Sequence, residues 1–187
     1  HDQQAPILRG KNYWNMILWL NVTLPLNSYF LDGFSVGDDF TYDYENEKAK
    51  NSLTDDEFYY VHSGMIDIFN MTASVRKLHP EFEQEYKKAI SFKNNNKEFF
   101  KYAKYKTLKT GNERVFAYSM TYLNKKIIVV ASLDEDNIQK TSLDENYLNK
   151  NHTFEILNNG TSLKIEKDKM NITLEPLELA VYSIETK

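Results

Sequence analysis

At 187 residues the chain is long enough for one large domain or two small ones, and its 41 % hydrophobic and 14 % aromatic content suffices for a packed core. A formal charge of −4, with arginine only at Arg9, Arg76 and Arg114, excludes the electrostatic footprint of a nucleic-acid or anionic-membrane binder. The absence of cysteine excludes disulfides and thiolate chemistry, and the longest apolar run, Met16 to Leu20, is too short to span a bilayer.

Behind the opening His1-Asp2, residues Gly10 to Leu24 predict a helix that is apolar nearly all round. Tyr13, Trp14, Ile17, Leu18 and Val22 fall at helical spacing, and Pro25 stops it. Such a helix asks for burial on more than one side. Tyr29-Phe30-Leu31, bounded by Asn27-Ser28 and Asp32-Gly33, predicts a short buried strand. Helix, strand and then helix is the beat of a parallel α/β unit.

After the acidic turn Gly37-Asp38-Asp39, the polar stretch 41–51 reads as a loop in which Tyr42 and Tyr44 alternate with Asp43 and Glu45. Thr54-Asp55-Asp56-Glu57 has a capping-box pattern and opens a helix with Val61, Met65, Ile68, Val75 and Leu78 on one face. Gly64 costs that helix about 1 kcal/mol relative to alanine. His79-Pro80 ends it, because the residue before a proline is pushed out of helical geometry. Glu81 to Phe92 predicts another short helix, and the polar Asn94-Asn95-Asn96 marks the domain boundary.

From Phe100 onward the period shifts towards two. Strands are expected at 115–118, 126–130, 154–156, 163–165 and 179–182, with turns at Gly111, Asn124, Asn158-Asn159-Gly160 and Asp168. Short strands so spaced predict an antiparallel sandwich. The fold class is therefore α/β followed by all-β, divided into residues 1–93 and 97–187.

Chemistry-bearing motifs are sparse. Asp38, Asp39, Asp43 and Glu45 lack the alternation and fixed glycine of a calcium loop and read as a solvated acidic loop. His62 reads as a packed or surface histidine beside Tyr59, Tyr60 and Met65, and His152 stands alone among strands. No Ser-His-Asp set, metal-ligand cluster or phosphate-binding glycine loop is present, and no metal ligand is assigned. The glycosylation-type triplets at Asn21, Asn70, Asn151, Asn159 and Asn171 are expected by chance in so asparagine-rich a chain.

Taken in order, several of these features resemble the last third of an alpha-amylase family glycoside hydrolase. They are His1-Asp2, Leu24-Pro25-Leu26, Tyr29 to Gly33, Arg76-Lys77-Leu78-His79-Pro80, Arg114 to Tyr118 and Ile127 to Val130. Leu174-Glu175-Pro176 before Leu179 to Tyr182 completes the series. The resemblance covers nearly the whole chain, although each motif is short. It implies that residues 1–93 are the end of a (β/α)8 barrel, from the end of strand 7 through helix 8, joined to an antiparallel β-sandwich. Leu26-Asn27-Ser28 departs from the family's Gly-x-Pro, and the acidic position after the eighth strand falls at Asp32, Asp38 or Asp39. Subfamily and substrate therefore stay open.

The resemblance implies retaining hydrolysis of alpha-glucosidic bonds in starch-type glucans or small alpha-glucosides, with carbohydrate as the partner. His1-Asp2 matches the end of the family's Asn-His-Asp triplet. Asp2 would then be the transition-state-stabilising carboxylate, and His1 would bind the same sugar. The nucleophile and the acid/base would lie upstream of His1, so the chain alone is expected to be inactive. No cofactor is expected for this part, with calcium reserved for the full-length enzyme. The competing reading is a non-catalytic β-sandwich module that binds a glycan or a protein. The two differ over Trp14, Trp19, Tyr29, Phe30 and Leu31, which form an exposed apolar patch in a fragment and are buried in a complete module. Localisation and oligomeric state are left open.

Overall fold

The structure, a computed structural model, describes residues 6–30, 33–37, 80–144, 152–158, 162–166 and 169–186. Within them a 3-10 turn, Pro6–Arg9, leads into helix α1, Lys11–Thr23, as the apolar spacing requires. A second 3-10 turn covers Phe34–Val36. Helices α2, Pro80–Asn95, and α3, Lys97–Tyr102, follow, and Pro80 opens α2, where its fixed φ and missing N–H are harmless. Eight strands complete the description: β1 Lys104–Thr107, β2 Val115–Tyr122, β3 Lys125–Ser132, β4 Gln139–Asp144, β5 His152–Ile156, β6 Ser162–Glu166, β7 Lys169–Leu174 and β8 Leu179–Thr186.

The strands form two antiparallel sheets, one in the order β1-β2-β3-β8-β5 and the other β4-β7-β6. Strand alternation divides the side chains between two cores. Val115, Ala117, Ile128, Val130, Ala180, Tyr182 and Ile184 pack against Leu143, Met170, Ile172 and Leu174 of the smaller sheet. Their neighbours Tyr118, Met120, Ile127, Val129, Ala131, Leu179 and Val181 face the helices. The large sheet is thus the middle of three layers. This explains the unbroken apolar run in β3, whose residues are covered on both faces.

All five strand expectations are met. Three further strands, β1, β4 and β7, join them. The hairpin β2–β3 pairs Tyr122 with Lys125 across Leu123-Asn124, where Leu123 adopts φ 51°. Asn158 closes the β5 edge as a stand-in peptide: its amide nitrogen donates to the Leu179 carbonyl and its oxygen accepts from the Val181 N–H. The amide of Asn21 donates to the Ile17 carbonyl within α1, so this triplet lies in a packed helix.

Three expectations require correction. Tyr29 and Phe30 are not in a strand; no described strand lies beside them, and a strand needs a hydrogen-bonding partner. Asn94 and Asn95 belong to α2 rather than to an irregular linker, and helix continues through α3 to Tyr102 before the strands begin. Their polar side chains carry no periodic signal, but the solvent face of a helix asks for none. The exposed patch fails for the tryptophans: Trp14 and Trp19 are 2 % and 0 % exposed, covered by the chain's own aromatic residues. Tyr29 is exposed, Phe30 is half-buried, and Leu31 lies outside the described residues.

Candidate functional site

His1 and Asp2 lie outside the described residues, as do Asp32, Asp38, Asp39, Tyr42, Asp43, Tyr44, Glu45, His62 and the helix expected over 61–78. His152 opens β5, opposite Thr186. What the structure describes is the frame immediately behind His1-Asp2 and around the 29–33 segment.

The turn Pro6–Arg9 is held at several points. The Arg9 guanidinium pairs with Glu135 of the β3–β4 loop and lies 4.2 Å from the Tyr13 ring centre. The Gly10 N–H donates to the Ile7 carbonyl. In the first turn of α1, the Asn12 amide donates to the Pro176 carbonyl in the β7–β8 connection (3.0 Å). That connection is tied to the β3–β4 loop by the Leu177 N–H donating to the Asp134 carbonyl (2.9 Å). Residues 6–12 are therefore fastened to two loops of the sandwich.

In the β3–β4 loop, the Asp134 carboxylate accepts from the N–H groups of Asp136 and Asn137 and from the Gln139 amide. Chiefly those two backbone bonds hold its pKa below the usual carboxylate value. Asp134 is thereby committed to the loop.

On the other side, α1 is set against α2 and the sheet by aromatic rings with polar anchors. The Trp14 indole donates to the Phe34 carbonyl (2.9 Å) while its ring stacks on Phe34 and meets Phe82 edge-on. The Trp19 indole donates to Glu85 of α2 (2.9 Å). Thr23 donates to the Trp19 carbonyl and accepts from the Tyr118 hydroxyl (2.7 Å), joining the helix end to β2. Burial raises the Tyr118 pKa, so it stays a neutral donor.

The connection from α1 towards Tyr29 is held by Lys93. Its ammonium donates to the carbonyls of Asn21 (3.3 Å) and Leu26 (3.0 Å) and to the Ser28 hydroxyl (2.8 Å). Partial burial lowers its pKa. Sequence reasoning missed this residue. The available signal was a lysine in the stripe Phe82, Tyr86, Ala89, Lys93, whose spacing marks the inward face of α2. Among the described residues, no group of three or more His, Cys, Asp or Glu side chains is placed to hold a metal ion. No described helix is long and apolar enough to cross a membrane.

No family model matches the sequence, and no curated protein matches it. Solved structures do. A debranching enzyme from Nostoc punctiforme superposes with a TM-score of 0.61 at 13 % identity, over 100 % of this chain and 34 % of its own. The alpha-amylase of Geobacillus thermoleovorans, complexed with acarbose, gives 0.61 at 12 % identity, over 94 % of this chain and 34 % of its own. An isomaltulose synthase mutant from Erwinia rhapontici, in complex with D-glucose, gives 0.58 at 14 % identity, over 99 % and 42 %. The chain has the fold of the C-terminal region of alpha-amylase family enzymes. It spans about 34 to 42 % of the length of these enzymes, and the likeness concerns the fold.

Proposed function

We propose that the chain is the C-terminal part of a retaining alpha-glycosidase acting on alpha-glucosidic bonds of starch-type glucans or small alpha-glucosides. The observation that carries this is the likeness over 94 to 100 % of this chain to enzymes of which it spans 34 to 42 %. With it goes the position of His1-Asp2, just ahead of a helix fastened to the sandwich. Asp2 would accept hydrogen bonds from sugar hydroxyls that strengthen as positive charge develops on the ring, and His1 would donate to the same sugar. The nucleophile and the acid/base would come from upstream. On this reading 1–93 belong to the barrel and 97–187 to the sandwich, with α2 and α3 meeting at Asn96. Nothing in this part calls for a cofactor, and calcium is reserved for the full-length enzyme.

The test is to extend the reading frame upstream of His1 and assay its product on alpha-glucans and small alpha-glucosides. Release of sugar by the long product and none by the 187-residue chain is the expected result. A long product without glycosidase activity would overturn the reading. The burial of Trp14 and Trp19 by the chain itself favours a second reading, a self-standing sandwich module that binds a glycan without cleaving it.

A further inference from the structure

We propose that the β1 edge of the large sheet is a peripheral docking surface for an anionic lipid membrane. The formal charge of −4 argues against such a partner only if charge is evenly spread over the chain, and it is not. Between 97 and 109 stand five lysines, Lys97, Lys101, Lys104, Lys106 and Lys109, against one acid, Glu98. All five lysines are exposed.

Lysines elsewhere pair with carboxylates: Lys87 with Glu83, Lys125 with Glu185 and Lys169 with Asp144. Among the described residues, none of the five at this edge has such a partner. The strand register gives the reason. Lys104 stands opposite Thr121 and Lys106 opposite Ser119, and β2 carries no charged residue along its whole length. The cross-strand pairing that neutralises charge within a sheet is therefore not available to β1.

Lysine on a free edge strand has a plainer use, since it discourages pairing with the edge of another chain. That accounts for Lys104 and Lys106. It does not account for Lys97 and Lys101, which belong to α3, or for Lys109, which lies beyond β1. It also leaves Tyr102 and Tyr105, 52 % and 40 % exposed beside those lysines. Tyr102 stacks on Tyr122 and Tyr105 lies against Tyr118, so both rings are held at the surface. A tyrosine there places an apolar body and a polar tip where headgroups meet acyl chains.

Shape and residue type select the occupant. All four residues of β1 are exposed, so the edge stands clear of both neighbouring layers as a ridge. A ridge meets a broad surface, whereas a thin polymer or a small anion is held in a groove or pocket. Lysine adds a point charge to a diffuse attraction. Arginine, whose fork reads single phosphates, is absent between 97 and 109. Near an anionic leaflet each lysine strengthens binding about fivefold, and the effect fades within a Debye length.

The test is co-sedimentation of the 187-residue chain with vesicles of two parts phosphatidylcholine to one part phosphatidylglycerol, beside vesicles of phosphatidylcholine alone. The chain is expected to sediment with the mixed vesicles only, and to be released at about 1 M salt, where the Debye length falls to about 3 Å. Lys101→Glu/Lys104→Glu/Lys106→Glu should weaken binding by about a hundredfold. Lys11→Glu/Lys87→Glu/Lys169→Glu changes the net charge equally at exposed sites elsewhere and should bind as wild type does. Circular dichroism melts check that both triple variants are folded; should the first melt early, its single variants make the comparison. Equal sedimentation with both kinds of vesicle, or equal losses in the two folded triple variants, would overturn the docking surface. A chain that binds soluble polyphosphate but no vesicle would overturn the lipid assignment. The inference does not rest on the glycosidase reading, whose sugar release is measured separately.

Discussion

The two faces of the large sheet solve the same burial problem differently. The inter-sheet core is largely aliphatic, Val115, Ile128, Val130, Leu143, Met170, Ile172 and Leu174, and its order follows from strand alternation. The helix-side core joins elements distant in sequence through large aromatic rings, and side-chain hydrogen bonds pin three of them: Trp14 to Phe34, Trp19 to Glu85, Tyr118 to Thr23. Apolar contact is non-directional, so it supplies stability without fixing where a helix sits. The polar anchors fix that position.

If that contrast is right, truncation should be felt most at the rings. Trp19→Ala is expected to cost about 4 kcal/mol and Ile172→Ala about 3 kcal/mol, read from urea midpoints at constant m-value. Equal losses at both sites would weaken the comparison. Gly37→Ala comes next. Gly37 adopts φ +63°, and an added Cβ would stand 2.6 Å from a Phe82 ring carbon. Backbone strain and overpacking together should cost about 2 kcal/mol. Tyr118→Phe isolates one anchor. It removes a neutral hydrogen bond and leaves Thr23 bonded to the Trp19 carbonyl, so about 1 kcal/mol is expected.

The smallest effect concerns the loop that receives Arg9. The Asp134 pKa is lowered from 3.8 chiefly by the N–H groups of Asp136 and Asn137. Its contribution to stability is therefore complete above 3.8 and is lost as pH falls through the lowered value. An acid titration of Asp134→Asn should lack that part of the decline. A profile identical to wild type would show that the loop does not depend on the carboxylate.

Legibility followed the same divide. Strand β3 was readable because Ile127 to Val130 is an unbroken apolar run, and α1 because Trp14, Leu18 and Val22 recur at helical spacing. Strands β1 and β4 carry too little apolar patterning to be read. Lys104-Tyr105-Lys106-Thr107 is exposed throughout, and β4 buries only Thr141 and Leu143. The composition of Tyr29-Phe30-Leu31 predicts a buried strand, but pairing decides strand formation, and the described Tyr29 and Phe30 have no strand partner. Lys93 was hidden because an inward lysine looks like a break in an apolar stripe until its acceptors, Asn21, Leu26 and Ser28, are seen. The assignment of Asp2 and His1 rests on family resemblance alone, since two adjacent residues carry no periodicity or spacing of their own, and both lie outside the described residues.

The most direct test of the central claim is the turnover of Asp2→Asn in the product of the extended reading frame, measured on an alpha-glucoside at saturating substrate. The change keeps the shape and removes the charge. If Asp2 stabilises the transition state, kcat should fall by about three orders of magnitude or more while the melting temperature stays near wild type. A variant that turns over like wild type would contradict the account.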